Sequence, residues 1–231
     1  MITLSLGNKN FNLQDYINSL IKGDREKCLA FINKYLEINP NPTKIYEEVI
    51  TRSLYRVGDM WESNEISVAN EHLATSISEF LLNHINQSIH SNQKVGKKVV
   101  IAGIEKEMHQ IGIKMVADFF EKSGWETFCL GANVSAKDII LFVKTTNPDL
   151  LALSLGIYNN LPDLEKTIIK IREVYPHIPI IIGGRAFLTG GRHLANKFSS
   201  AFYIPDLYAL EIFIKNQNEQ YSIYSKNPTL K

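Results

Sequence analysis

Cysteine is almost missing from this chain. Cys28 and Cys129 are the only two among 231 residues and lie far apart, so neither a disulfide framework nor a cysteine-based zinc site is available. They read as buried thiols in a reducing compartment. A surplus of charge is missing too: 25 basic residues against 24 acidic ones leave a formal charge of +1. No electrostatic excess directs the chain to a phosphate backbone or an anionic membrane. No apolar run approaches the ~18 residues needed to span a bilayer, and the start "MITLSLGNKNFNL" has no basic stretch leading into an apolar one. The expectation is a cytoplasmic protein without direct nucleic-acid or membrane contacts. Also missing are a phosphate-cradling glycine loop after the first long strand pattern and an acidic pair with a phospho-acceptor aspartate. That argues against a nucleotide-binding or response-regulator reading.

What is present falls into two textures. Up to about residue 92 the pattern is helical throughout, broken at "IKGD", "INPNPT" and around "ESNEI". Four helices are predicted, starting near Leu13, Arg25, Thr43 and Ile66, and they make a small four-helix bundle over 1–92. The polar stretch "IHSNQKVGKK" then marks a boundary. From about 96 to 231, short β-rich runs alternate with helical ones: "KVVIAGI", "ETFCLG", "DLLALSLG", "IPIIIGG" and "AFYIP". Continuous apolar strands with connections long enough for helices predict an α/β, Rossmann-like, doubly wound five-stranded parallel sheet. Ligands of such sheets bind beyond the carboxyl ends of the strands, where "EKEMHQIG", "LGANVS", "SLG" and "GGR" all fall.

In the first of these turns Glu107 stands two residues before His109, and Gly112 three after it. An imidazole there can bind a metal, with the carboxylate orienting the ring. On spacing alone, the pair reads first as a loop histidine beside a solvated glutamate. Since only one ligand is visible, a metal would have to arrive with most of its coordination filled.

Residues 107–112, Glu-Met-His-Gln-Ile-Gly, resemble the D-x-H-x-x-G signature of cobalamin-binding domains. Ser154-Leu155 resembles the S-L element of that family and Gly183-Gly184 its G-G element, and the resemblance runs from about 98 to 205. It implies that His109 is the lower axial ligand of cobalt, replacing the cofactor's own base. It further implies that Glu107, Gly112, Gly131, Val134, Ser154, Leu155, Gly156, Gly183, Gly184 and Arg185 line the cofactor site. Most relatives have aspartate where this chain has Glu107, whose longer side chain is expected to reach a ring nitrogen or a bridging water.

The bundle narrows the resemblance. Trp61, nine intervening residues, then Glu71-His72 is similar to the W-x(9)-E-H signature of the adenosylcobalamin photoreceptors of the CarH and LitR type. By that resemblance Trp61 lies over the upper face of the corrin beside the adenosyl group, with Val57, Glu71 and His72 in the same pocket. On periodicity alone Trp61 sits on the stripe Ile50, Leu54, Val57, Trp61 and would be bundle core, while Glu71 and His72 would be a solvated helix shoulder.

Two departures stand out. No winged-helix or basic recognition segment precedes the bundle, and Glu62 occupies the position after the tryptophan where repressor-type relatives often carry a histidine. The expected function is light sensing without enzymatic activity. Co–C photolysis would shift the cap and change the assembly state of a homo-oligomer, signalling to a separate output partner. The alternative is a corrinoid carrier of a methyltransferase system; a mutase or eliminase would need a large barrel domain. Arg192 and His193 flank glycine pairs and would meet a cofactor tail, a partner or solvent. Some capped photoreceptors of this kind hold a bilin, and Tyr203, Tyr208 and the tail aromatics would line such a site, though no motif marks one.

Overall fold

A computed structural model of the chain describes residues 3–6, 9–87 and 94–226, with side chains over 11–87 and 94–219. The chain divides into two units, Met1–Ile89 and His90–Lys231. The first part of the predicted boundary stretch, 89–93, and the tyrosines of the tail lie outside the residues whose side chains are described.

The first unit is helical, as expected, except at its start. There β1 (Thr3–Leu6) and β2 (Lys9–Asn12) pair antiparallel, Thr3 opposite Asn12 and Leu6 opposite Lys9. The all-helical expectation therefore fails over these residues. Each run is only four residues long, too short for its period of two to stand out from the helical pattern behind it. Helix α1 (Leu13–Lys22) starts behind Asn12, whose side chain accepts from the Gln14 N–H at 3.1 Å, and ends at Gly23 in the left-handed conformation. Asp24 caps α2 (Arg25–Ile38) through the Lys27 N–H. Asn41 and Pro42 open α3 (Pro42–Lys44), which runs on through a π-helical segment, Ile45–Thr51, into α4 (Arg52–Glu62). After a turn with Asn64 at φ 59° comes α5 (Val68–Gln87), two residues later than the expected start at Ile66. Ser67 and Asn70 cap one another there.

The stripe through Trp61 is not the face that α4 buries. The face that α4 buries runs through Ser53, Val57 and Met60, at spacings of four and three. Trp61, the next residue round the helix, is 45% exposed. It is not bundle core.

The second unit is a five-stranded parallel sheet in the order β4-β3-β5-β6-β7, formed by β3 (Lys98–Ile104), β4 (Glu126–Val134), β5 (Leu150–Ser154), β6 (Ile180–Gly183) and β7 (Ala201–Tyr203). Helices α6 (Ile111–Lys122), α7 (Ala136–Thr146), α8 (Leu161–Val174) and the short α9 (Ala186–Thr189) connect them, and α10 (Leu207–Lys226) follows. Every residue of β3 from Val99 on, and the first four of β5, are buried, as continuous apolar strands between two helical layers must be. β4 is an edge strand, which places Cys129 on the surface; the expectation of two buried thiols holds only for Cys28. Burial and the charge of Asp24 push the Cys28 thiol up to about 12. Among the described residues no helix is long and apolar enough to cross a membrane.

The strand order places the first strand, β3, between the second and the third. The chain direction across the sheet therefore reverses between β3 and β5, and the loops after these two strands face each other across that point. At the opposite end Arg172 ties the loops before β6 and β7 together. Its guanidinium donates to the carbonyls of Ile178 at 2.5 Å, Ser199 at 2.8 Å and Tyr175 at 3.3 Å. Removing it as Arg172→Ala strips partners from these carbonyls and is expected to cost about 2 kcal/mol, read as a lower denaturant midpoint with an unchanged m-value.

Candidate functional site

The loop after β3 is built around one carboxylate. Glu107 is completely buried although its neighbours Lys106 and Met108 are exposed. Its Oε2 accepts from the backbone N–H of Gly156 at 2.5 Å and of Ile157 at 3.0 Å, both in the loop after β5. Its Oε1 accepts from the His109 N–H at 3.0 Å and faces His109 Nδ1 at 2.5 Å. A single side chain thus bridges the two loops at the point where the strand order reverses.

Burial pushes the Glu107 carboxyl up. The hydrogen bonds from the His109 ring, then from the N–H groups of His109, Gly156 and Ile157, outweigh it and hold the group below the ordinary carboxylate value of 4.5. It is therefore ionised at neutral pH. An ionised carboxylate can only accept, so the neutral His109 ring carries its proton on Nδ1 and presents its lone pair at Nε2. The side chain of His109 is 64% exposed, so that lone pair belongs to a ring standing out from the surface on a fixed base. The aspartate expected from relatives is shorter by one methylene, and Glu107 nevertheless reaches the ring nitrogen directly.

The rest of the loop is held as firmly. Lys106 adopts φ 70° and its ammonium meets the Asp163 carboxylate at 3.0 Å, while its backbone N–H donates to Asn133 Oδ1 at 2.9 Å. Asn133 donates its own N–H to the Glu107 carbonyl at 2.8 Å. Lys106, Asn133, Ile157 and Asp163 escape sequence reading because their partners lie far along the chain, 57 positions apart for Lys106 and Asp163.

The glycines named from the sequence differ in what they allow. A Cβ on Gly156 would stand 2.9 Å from His109 Nδ1 and push the ring off its carboxylate. Gly184, at φ 119°, approaches the Leu155 carbonyl more closely than any side chain permits, and a Cβ on Gly183 would meet the Ile204 carbonyl at 2.9 Å. Gly112, near the start of α6, and Gly131, at φ 80° in β4, have open space where a Cβ would stand. Ser154 ends β5 opposite Gly183, and buried Leu155 donates its N–H to the Gly183 carbonyl at 2.9 Å. Val134, half-buried, ends β4, and Arg185 precedes α9. Sequence reading overlooks Met108, Ile157 and Leu188. They are 68%, 41% and 58% exposed and follow β3, β5 and β6. Met108 and Ile157 lie in loops and Leu188 in a helix of four residues, so no periodicity marks them.

In the helical unit, Trp61 lies in the last turn of α4, and Glu71 and His72 lie near the start of α5. His72 is exposed and faces Glu71 at 3.6 Å; Glu71 also accepts from the Thr75 hydroxyl at 2.9 Å. Val57 is buried to 1% exposure. Glu62 is exposed, and His84 is engaged with Asn33 at 2.8 Å. Tyr203 lines an open pocket with Arg192, His193 and Phe202 at the β7 edge; the tail tyrosines lie outside the described side chains.

No cluster of three or more His, Cys, Asp or Glu side chains able to hold a bare metal ion occurs among the described residues. The donor set fits a metal that brings its own equatorial ligands: one protruding imidazole with a fixed tautomer, bordered by exposed apolar side chains and by glycines with open space beside them.

Glu107→Gln places an amide among donors it can only partly satisfy, at an expected cost of about 2 kcal/mol at neutral pH. Because the carboxyl is depressed in the folded state, the wild type keeps this contribution above the ordinary carboxylate value and loses it as the pH falls through the depressed one. The stability difference from Glu107→Gln, measured by denaturant titration, therefore shrinks as the solution is acidified.

Comparison with known proteins agrees with this geometry. Residues 97–204 match the B12 binding domain, and residues 13–86 match a second B12 binding domain model. The chain is 29% identical over 165 residues to the HTH-type transcriptional repressor CarH of Myxococcus xanthus; the match takes in 71% of this chain but only 54% of that protein, about half its length. It is 20% identical over 183 residues to dimethylamine corrinoid protein 2 of Methanosarcina acetivorans, covering 78% of this chain and 84% of that one. The fold is that of the monomethylamine corrinoid protein of Methanosarcina barkeri, with a TM-score of 0.72 over 87% of this chain and 96% of the other at 13% identity. With one B12 binding domain in each of its two units, the chain belongs to the cobalamin-binding proteins.

Proposed function

We propose that this protein is a light sensor that holds adenosylcobalamin, with His109 as the lower cobalt ligand and with Trp61, Glu71 and His72 shielding the adenosyl side. The observation that carries the reading is the exposure of Trp61. A large aromatic at 45% exposure, in the last turn of α4 and one residue off its buried face, is not needed for bundle packing. Adenosylcobalamin, when bound, supplies a Co–C bond that visible light breaks.

The chain's own residues supply the rest. Glu107 holds the proton on His109 Nδ1, leaving Nε2 to coordinate. Trp61 excludes water from the adenosyl side, and its displacement, carried by α4 and α5, is the structural response. Residue 62 offers a carboxylate where repressor-type relatives often offer an imidazole, so it does not form a second histidine ligand after illumination. The response is a change in homo-oligomeric assembly that a separate partner reads. The likeness to the repressor CarH supports this reading. A bilin has no support beyond the aromatic residues themselves.

A second reading is favoured by the corrinoid proteins, which match over most of their own length. On it the chain is a methyl carrier of a methyltransferase system, and Trp61 is a docking surface for a methyltransferase.

Absorption spectra and size-exclusion profiles after loading in the dark, before and after green light, separate the two. The sensor gives an irreversible spectral change together with a change in assembly state, and His109→Ala weakens cobalamin binding by about tenfold or more. Equal binding of methylcobalamin, with no change of assembly in light, supports the carrier instead.

A further inference from the structure

The strand pairing at the β4 edge contains two irregularities close together. Ile101 stands opposite Cys129, Ala102 opposite Gly131 and Ile104 opposite Val134, so β4 holds two more residues than the stretch of β3 it faces. Bulges of this kind re-aim side chains beside sites. Here the pairing jumps over Asn133, whose φ of 57° puts it in the left-handed region that asparagine tolerates better than most residues.

The consequence is a reciprocal pair of hydrogen bonds. Asn133 Oδ1 accepts the Lys106 N–H at 2.9 Å, and the Asn133 N–H donates to the Glu107 carbonyl at 2.8 Å. Lys106 is itself in the left-handed region, at φ 70°. This fixes the backbone on both sides of the peptide that carries Glu107. The direction of the Glu107 side chain is set in turn, and from it the orientation of His109.

We propose that Asn133 is the positioning residue of the loop that carries His109, setting from the edge strand the height and angle at which the imidazole is offered to cobalt. The inference rests on the cobalamin reading above. It assigns a role to a residue that touches neither the ring nor, on that reading, the metal.

Two substitutions separate the side chain from the backbone. Asn133→Gly keeps the left-handed conformation and the N–H donated to Glu107 but deletes the acceptor for Lys106. Asn133→Asp keeps that acceptor. In cofactor-free protein, amide exchange at Lys106 is expected to be slow in the wild type and in Asn133→Asp, and about tenfold faster in Asn133→Gly. After loading with adenosylcobalamin in the dark, Asn133→Gly is expected to bind about fivefold more weakly and to shift its absorption spectrum towards that of His109→Ala. Asn133→Asp restores the wild-type spectrum, a rescue that a general loss of stability would not give.

A Lys106 amide that exchanges freely in the wild type overturns the proposal even if a variant fails to fold. So does an Asn133→Gly protein with wild-type exchange and spectrum. Failure of the cobalamin reading shows separately, as wild-type protein that takes up no adenosylcobalamin, and it removes the ligand that Asn133 would position.

Discussion

A buried carboxylate at the reversal point of a parallel sheet is the constraint on which the site depends. Glu107 has no exposure to solvent, and a charge placed there persists only because four donors converge on it. Two come from the loop after β5 and two from His109. The same contacts close the gap between the loops of β3 and β5, fix the imidazole tautomer and leave the ring standing in solvent. Stability and site geometry are two readings of one set of hydrogen bonds.

The surrounding sequence is arranged to let that carboxylate in. Gly156 has no Cβ, which would collide with both the Glu107 carboxylate and the His109 ring. Gly184 lets the chain after β6 pass close to the Leu155 carbonyl, holding the second loop from its other side. The bulged edge of β4 supplies Asn133, and α8 supplies Asp163. The loop after β5, the edge strand β4 and α8 thus all hold the loop of His109. The helical unit has a different character: its polar residues of interest cluster at the turn between α4 and α5, near Trp61, which lies one residue off the buried face of α4.

The strands of the sheet, their parallel direction and the pairing of Glu107 with His109 were legible in the sequence, because continuous apolar runs and a two-residue spacing are local signals. The β1–β2 hairpin was not, being too short for its period to show. Periodicity alone would have put Trp61 on the buried stripe with Val57; the face that α4 buries passes through Met60 instead and leaves the tryptophan at its margin. Cys129 looked internal because its strand is apolar, but exposure depends on lying at the edge of the sheet, which strand order decides. The contacts of Glu107 with Gly156 and of Lys106 with Asp163 span 49 and 57 positions, and nothing local in the sequence shows which loops will meet.

An ionised Glu107 fixes the His109 ring in one tautomer before any cofactor is present, and every functional role given to the ring starts from that state. Long-range nitrogen–proton correlation of the neutral imidazole in cofactor-free protein tests it directly. The expected result is a single tautomer with the proton on Nδ1 and the lone pair on Nε2. A proton on Nε2, or the averaged signal of a ring sampling both tautomers, would contradict it.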